Sequence, residues 1–169
     1  MRISFQWLNE LINLKNVDFD YLVEKLTLGG FEVEETFEIV TNNQSDTILD
    51  ITSTANRSDS LYVKGIAKEV SALLDTDYNF IQYSQSFLES EKHIKSSLDK
   101  IVCLDSTFDS CSSFFAIIVE NISVHDSPKW LKQKLIGAGI QPFNNLLDFQ
   151  NYLLLETGYP FEFYDLDKI

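Results

Sequence analysis

A pair of adjacent glycines, Gly29 and Gly30, constrains the fold most, because the apolar residues repeat at different periods on its two sides. Before the pair, Leu22, Val23 and Leu26 follow the spacing of a helix. Glycine readily adopts the left-handed conformation that ends many helices. After the pair, apolar and polar residues alternate with the period of two of a half-exposed strand. These apolar residues are Phe31, Val33, Phe37 and Ile39. The segment predicts a helix, a glycine turn and a strand.

The same reasoning predicts two more helices and a second strand. Residues 4–13 carry apolar side chains at helical spacing, and residues 63–74 carry the clearest helical stripe of the chain. Ser58 or Asp59 is the expected N-cap of the latter helix. Residues 47–51 alternate as a strand that can pair with the first one across a polar turn. Helices and strands in this order indicate an α+β class.

A change of composition divides the chain. Between residues 76 and 97 polar and charged residues dominate without a stable period, which predicts a linker. We therefore predict a small N-terminal α+β domain over residues 1–75 and the beginning of a larger mixed α/β domain over residues 98–169. The second part is expected to contain two strands followed by two helices. These lie at 101–104, 114–119, 128–137 and 144–156.

Composition also limits function. The 13 basic residues are outnumbered by 26 acidic ones, giving a net charge of −13. Such a surface does not favour phosphate backbones, because nonspecific nucleic-acid binding rests on Lys and Arg. The longest apolar run, Phe114–Val119, is far shorter than the about 20 residues that span a membrane. Cys103 and Cys111 have neither CxxC spacing nor a His cluster nearby, so neither a zinc site nor a disulfide framework is predicted.

Three blocks of sequence share one resemblance. The first joins Trp7-Leu8 to Gly30-Phe-Glu-Val33, and the second runs from Thr54-Ala-Asn-Arg-Ser-Asp59 into Gly65-Ile-Ala-Lys-Glu-Val70. The third begins with Ser127-Pro-Lys-Trp130 and continues through a set of spaced residues. These are Gly139, Ile140, Asp148, Asn151, Tyr152, Glu156, Gly158 and Pro160. In their residues and in their order along the chain, the blocks resemble those of the N-terminal portion of the phenylalanyl-tRNA synthetase β subunit family.

The resemblance extends to a shortened form of that family. Most bacterial members carry a tRNA-binding oligonucleotide-binding-fold domain between the first and second blocks, whereas only the polar stretch 41–46 stands there in this chain. The chain therefore looks like an organellar, plastid-type form without this insertion. Its low Arg content, limited to Arg2 and Arg57, together with abundant Lys, Ile and Asn, fits an AT-rich plastid genome.

The resemblance implies a role in the ATP-dependent attachment of phenylalanine to tRNA(Phe), in a plastid or otherwise in the cytoplasm. It implies an α subunit as partner, in an α2β2 heterotetramer, and ATP and Mg²⁺ as cofactors of the whole enzyme. In the family, phenylalanine and ATP are bound by the α subunit. We therefore expect no catalytic, cofactor-binding or metal-binding residue in this segment, which would be structural and tRNA-supporting, and no membrane contact.

Two other classes of function compete with this interpretation. One is a noncatalytic protein-interaction module, or a remnant, that reuses the same fold. The other is a small winged-helix-like nucleic-acid binder, which the order of helices and strands in residues 1–75 suggests. The net charge of −13 argues against the binder.

The resemblance also marks one position of the editing pocket, where family members hydrolyse mischarged tyrosyl-tRNA. The second part of the chain corresponds to the start of that editing-type (B3/B4-like) domain. Glu162 stands where the family motif has a His. A carboxylate accepts a hydrogen bond but supplies neither the donor nor the near-neutral titration of an imidazole. We therefore predict that editing at this position is impaired.

A turn in the second block offers two interpretations. Asn56, Arg57 and Asp59 could contact tRNA, because Arg pairs with phosphate in a bidentate way. They could equally form a structural turn in which Arg57 pairs with Asp59 or another carboxylate, and the sequence favours this second interpretation.

Two further groups of residues are better explained by ordinary structural roles than by ligand binding. Glu156, Glu162, Asp165 and Asp167 are more typical of a solvated acidic edge than of a site for Mg²⁺ or Ca²⁺. A set of aromatic residues is expected in the core rather than on a base-stacking surface, because so little positive charge lies nearby. This set is Trp7, Phe31, Trp130, Phe143 and Tyr152.

Overall fold

The computed structural model describes residues 1–41, 44–78 and 118–168 of the 169-residue chain. Two compact units are distinguished, the first formed by Met1–Phe80 with Val124–Phe163 and the second by Ile81–Ser123 with Tyr164–Ile169. The described part of the first unit contains three strands and five α-helices, which confirms the α+β class. They are β1 (Arg2–Ser4), α1 (Phe5–Leu11), α2 (Phe19–Leu28), β2 (Phe31–Thr41), β3 (Gln44–Ser53), α3 (Val63–Leu74), α4 (Lys129–Gly137) and α5 (Asn145–Thr157).

The first two helices begin at side-chain caps. The Ser4 hydroxyl accepts a hydrogen bond from the Trp7 N–H at 2.9 Å, and the Asp18 carboxylate accepts one from the Tyr21 N–H at 3.0 Å. Both bonds satisfy an N–H group that a helix start leaves without an internal partner. Helix α2 ends just before Gly30, whose φ of +87° lies in the left-handed region. The predicted order of helix, glycine turn and strand is confirmed.

The three strands form an antiparallel sheet in the order β1-β3-β2. Strands β2 and β3 pair as far as Thr41 and Gln44, so strand pairing continues into the predicted polar turn at 41–46. The expectation of a turn or short loop over all of residues 41–46 was therefore wrong, because strand pairing uses backbone groups and does not exclude polar side chains.

A β-bulge at Glu34 interrupts the register of this hairpin. Val33 pairs with Ile51 and Glu35 with Asp50, so β2 advances by two residues where β3 advances by one. Side chains of a strand alternate between its two faces. One extra residue therefore inverts the face on which all later residues of β2 lie.

The bulge sends the apolar residues of β2 to both faces of the sheet. Phe31 lies in the main core, whereas Phe37 pairs with Ile48 beyond the bulge. A methyl group added to Gly137 of α4 would lie 3.1 Å from Ile48 Cδ1 and 3.6 Å from Ile39 Cδ1, so α4 approaches this second face closely. The alternating pattern correctly predicted a strand, but its apolar residues do not share one face.

The main core fills the first face of the sheet beneath α1, α2 and α3. It joins apolar side chains from these helices to those of all three strands. Its buried members are Ile3, Trp7, Leu8, Leu11, Ile12, Leu14, Leu22, Leu26, Phe31, Leu49, Ile51, Val63, Ile66, Ala67 and Val70. Leu131 and Leu135 of α4 and Ile48 of β3 are also buried, outside this cluster. Both faces of the small sheet are thus covered.

Helix α3 begins later than the sequence predicts. Ser58–Ser60 form a separate turn of 3₁₀ helix, and the N-cap of α3 is Tyr62, which makes no side-chain capping bond. The expected caps at Ser58 and Asp59 were therefore wrong. The chain bends between the two helical segments and brings the carbonyl of Asp59 against Gly65.

The last two helices match their predicted positions. Helix α4 follows Pro128, and the Asn144 side chain caps α5 by accepting hydrogen bonds from the N–H groups of Leu146 and Leu147 at 3.1 and 3.0 Å. Gly158, with a φ of +76°, ends α5.

Both helices belong to the same unit as residues 1–80. The predicted domain limits, residues 1–75 and residues 98–169, stay a prediction. Most of the proposed linker and the strand proposed at 101–104 lie outside the described residues. So do residues 114–117 of the other proposed strand, while residues 118–119 have no regular structure.

Gly65→Ala tests the close approach of α3 to the preceding turn. The added Cβ would lie 1.9 Å from the Asp59 carbonyl oxygen, a backbone atom that cannot move aside cheaply. We expect a loss of about 3 kcal/mol in the free energy of unfolding, measured by urea denaturation.

Gly30→Ala is the matched control, because nothing lies within 4 Å of its added Cβ. It should lose only the about 1–2 kcal/mol of a left-handed alanine. An equal or smaller loss for Gly65→Ala would contradict the packing described above.

Candidate functional site

Arg57 lies at the centre of the turn that the sequence singled out. Its Nε and Nη2 atoms each donate to a different oxygen of Asp59 at 3.0 Å, and Nη2 lies 2.6 Å from Oε1 of Glu69 in α3. Its guanidinium carbon lies 5.1 Å from the centroid of the Phe31 ring. Arg57 thus ties the turn to both α3 and β2, while Asn56 is exposed.

The electrostatics of this turn agree with a structural role. The hydrogen bonds to Asp59 raise the pKa of Arg57, and the same bonds lower the pKa of the Asp59 carboxyl. Both groups stay ionised at neutral pH, and the arginine charge is met by two carboxylates. The contacts favour the structural turn over a phosphate contact.

Arg57→Ala separates these two interpretations. We expect lower stability, because Asp59 and Glu69 lose their partner, and an unchanged salt dependence of any binding to transcribed tRNA(Phe). A lost phosphate contact would instead reduce the slope of log K against log salt by about 1.

Arg2→Ala is the matched control, because Arg2 also pairs with a carboxylate, that of Asp50. The measurement is filter binding at several salt concentrations. A slope reduced in Arg57→Ala but not in Arg2→Ala would contradict the structural assignment.

Asp148 is a fully buried carboxylate from the third block. It accepts hydrogen bonds from the Ser127 hydroxyl and from the Phe143 N–H, the latter at 2.8 Å. These two donors lie on the segments that precede α4 and α5. Because a buried charge requires such partners, Asp148 holds the two segments against α5.

Glu156 is the second buried carboxylate of α5. Its Oε1 atom lies 2.8 Å from Lys64 Nζ of α3, and its other oxygen accepts a hydrogen bond from the Tyr152 hydroxyl. The predicted grouping of Glu156 with later acids is therefore wrong. Glu156 faces inward and links α5 to α3.

An aromatic and cationic cluster joins α1, α4 and α5. The rings of Trp7 and Tyr152 are stacked, with centroids 5.3 Å apart and planes at 11°, and Trp130 meets Tyr152 edge-on at 5.4 Å. Lys134 Nζ lies 4.9 Å from the Trp7 centroid and 2.5 Å from Oε2 of Glu10. Such cation–π contacts stabilise the joint between the three helices.

The aromatic residues predicted for the core are divided by the structure. Trp7 and Phe31 are buried and Tyr152 is partly buried. Phe143, however, is 76% exposed and Trp130 is 47% exposed. The core assignment was therefore wrong for both residues. The backbone N–H of Phe143 donates a hydrogen bond to Asp148, and the Trp130 ring meets Tyr152 at its edge while remaining half exposed.

Glu162 is exposed, as is Phe161 beside it. The Phe161 ring packs edge-on against Phe149 and Phe163. In the second unit, Asp165 pairs with Lys168 at 3.0 Å. Among the described residues, no group of three or more His, Cys, Asp or Glu could hold a metal ion. No helix within those ranges is long and apolar enough to cross a membrane.

Sequence reasoning missed the partners of these residues. Lys64 forms an ion pair with Glu156, and the Ser127 hydroxyl donates a hydrogen bond to Asp148. The ammonium group of Lys134 lies near the Trp7 ring in the aromatic cluster. A signal existed for part of this arrangement. Tyr152 and Glu156 are four residues apart, as are Trp130 and Lys134, and this spacing brings side chains together on one face of a helix.

Tyr152→Phe tests the hydrogen bond between Tyr152 and the buried Glu156 of α5. Burial, and then the hydrogen bond to Glu156, raise the pKa of Tyr152 above its ordinary value of 10.0. The folded protein therefore holds this proton more tightly than the unfolded chain. The corresponding stability is fully present below pH 10.0 and is lost as the pH rises further.

At neutral pH we expect Tyr152→Phe to lose about 1 kcal/mol of unfolding free energy, because Glu156 loses a donor. Above pH 10 its stability should fall less steeply than that of the wild type. Tyr159→Phe is the matched control, since Tyr159 is 77% exposed. Parallel urea-denaturation profiles of Tyr152→Phe and the wild type across this pH range would contradict the assignment.

Comparison with known proteins agrees with the resemblance. A model of the B3/4 domain matches residues 110–169. The chloroplastic phenylalanine–tRNA ligase β subunit of Phaeodactylum tricornutum is 48% identical over the whole chain, and that of Porphyra purpurea is 38% identical. The β subunit of Trichormus variabilis is 35% identical over 73% of the chain. The chain spans 23% of the length of the two chloroplastic relatives and, in its match, 15% of the third.

The matched domain and these relatives define the class of the chain as a β subunit segment of an aminoacyl-tRNA synthetase. The chain belongs to the phenylalanine–tRNA ligase β subunit family. Its likeness to the chloroplastic members is confirmed across all 169 residues.

Proposed function

We propose that this chain is a part of the β subunit of a plastid phenylalanine–tRNA ligase and that its own contribution is architectural. The supporting observation is that residues from the family-like blocks make contacts inside the protein. Asp148, Glu156, Gly65 and Arg57 all make contacts inside the protein. In this proposal the three blocks preserve a scaffold that the rest of the enzyme is built upon.

The whole enzyme would bind ATP, Mg²⁺ and phenylalanine outside this segment. An α subunit is the expected partner, in an α2β2 heterotetramer, and tRNA(Phe) is the expected substrate. The net charge of −13 limits any tRNA contact of this segment to a local one. We also propose that Glu162 does not support the hydrolysis of mischarged tRNA, since a carboxylate lacks the donor and the titration of an imidazole.

Two measurements test the proposal. The 169-residue chain alone should show no phenylalanine-dependent exchange between ATP and pyrophosphate. The full-length β subunit that carries this segment should co-purify with the α subunit and show that exchange. Exchange by the chain alone would refute the architectural role, and a full-length protein that fails to retain the α subunit would favour an independent interaction module.

Asp148→Ala in the full-length subunit tests the scaffold more directly. The Ser127 hydroxyl and the Phe143 N–H would lose their acceptor in a buried place. We expect a loss of about 3 kcal/mol in stability and a reduced yield of the complex with the α subunit.

Val40→Thr is a surface control, because Val40 is 70% exposed. The yields of complex are compared after affinity purification through the α subunit. Equal yields from the two variants would mean that the Asp148 contacts do not support the assembly.

A further inference from the structure

Helix α5 distributes its charged and apolar side chains in an unusual way. Its two buried residues are the carboxylates Asp148 and Glu156, whereas Leu147, Phe149 and Leu154 are between 38% and 46% exposed. A helix at the surface of a protein normally turns its apolar side inward and its charges outward. Because α5 does the reverse, its outward side has the character of a surface that another part of a protein covers.

The exposed apolar residues of α5 lie on one side of the helix. Successive residues of a helix are about 100° apart, so positions seven apart share a side. We define the α5 outer face by five residues on the side away from the buried carboxylates, namely Leu146, Leu147, Phe149, Leu153 and Leu154. Phe149 lies at its margin and extends it beyond the helix. The ring of Phe149 meets Phe161 edge-on at 6.2 Å, and Phe161 meets Phe163 at 5.0 Å.

The charges around the α5 outer face do not suit a nucleic acid. Residues 143–163 contain three acidic side chains, Asp148, Glu156 and Glu162, and no Lys, Arg or His. A stacking surface for RNA bases requires positive charge beside it, because the phosphates must be neutralised. The face therefore fits an apolar protein surface.

The apolar surface most available to this face belongs to the polypeptide of which the chain is a segment. The chain spans 23% of the two chloroplastic relatives, so more than three quarters of each relative lies outside the match. A covalently linked surface has an effective concentration on the order of millimolar, whereas a separate subunit must be captured from solution. The face also lies within the residues that match the B3/4 domain, and a domain builds its core from its own chain.

We propose that the α5 outer face packs against residues of the same β subunit that lie outside this 169-residue segment. The inference rests on the proposed function, since it requires the longer subunit. Helix α5 is then covered on both sides. Hydrogen bonds and an ion pair to Asp148 and Glu156 fix its inner side, and apolar packing holds its outer side. The contact joins the scaffold to the rest of the subunit.

Photo-crosslinking in the complex of the full-length β subunit with the α subunit identifies the occupant. The photoreactive amino acid p-benzoylphenylalanine replaces Leu154 of the outer face. In the matched control it replaces Leu28, which is 75% exposed at the end of α2. If the variant at Leu154 does not assemble, the same amino acid replaces Phe149, where it exchanges one aromatic side chain for another.

The crosslinked peptides are identified by mass spectrometry. The complex is assembled from a mixture of ¹⁵N-labelled and unlabelled β subunits, so that a crosslink between two copies is recognised by its mixed labelling. We expect crosslinks from position 154 to β subunit peptides outside the segment and within one copy. Their yield should be about tenfold higher than that from position 28, because a fixed neighbour stays within reach of the reactive group.

Four results would overturn the proposal. These are crosslinks to the α subunit, crosslinks to a second β subunit, crosslinks only within residues 1–169, and a yield to the same peptides that is equal at position 28. A full-length β subunit that fails to retain the α subunit would instead contradict the proposed function. The same crosslinking in the isolated β subunit would then still decide whether its own chain covers α5.

Discussion

The β-bulge at Glu34 is the constraint on which the remaining architecture depends. A three-stranded sheet with one apolar face would be complete once α1, α2 and α3 covered it. By moving Phe37 and Ile39 to the other face, the bulge creates a second apolar surface beside Ile48. Helix α4 buries part of that surface, and α5 is then held between α3 and α4. Without the inversion, Phe37 and Ile39 would not lie beside Ile48 on the face that α4 approaches.

Buried charges complete what the apolar contacts begin. Asp148 and Glu156 point from α5 into the unit, where Ser127, Phe143 and Lys64 provide their partners. Apolar residues of α5 such as Leu154 remain exposed in part. Because desolvated carboxylates tolerate few alternative geometries, these bonds specify how α5 lies against the preceding helices. A scaffold of this kind suits a subunit segment whose proposed contribution is architectural.

Much of the candidate site followed from local pattern and from family resemblance. The pairing of Arg57 with Asp59 was foreseeable, because the two residues are neighbours in a short turn. The second partner, Glu69, and the stacking on Phe31 were not, because nothing local connects these residues. Phe143 shows the opposite failure. Its ring was predicted to lie in the core but is exposed, and its backbone N–H instead donates a hydrogen bond to Asp148.

Local periodicity determined the helices, the strands and the glycine stops, because these depend on neighbours a few residues apart. The three blocks determined the family, and the excess of acids limited the possible partners. Only the tertiary structure decided on which face of the sheet each apolar residue lies. One extra residue at Glu34 reverses that assignment without altering the alternation in the sequence. The partners of Glu156, Asp148 and Trp7 were decided in the same way, because long-range packing selects which buried groups meet.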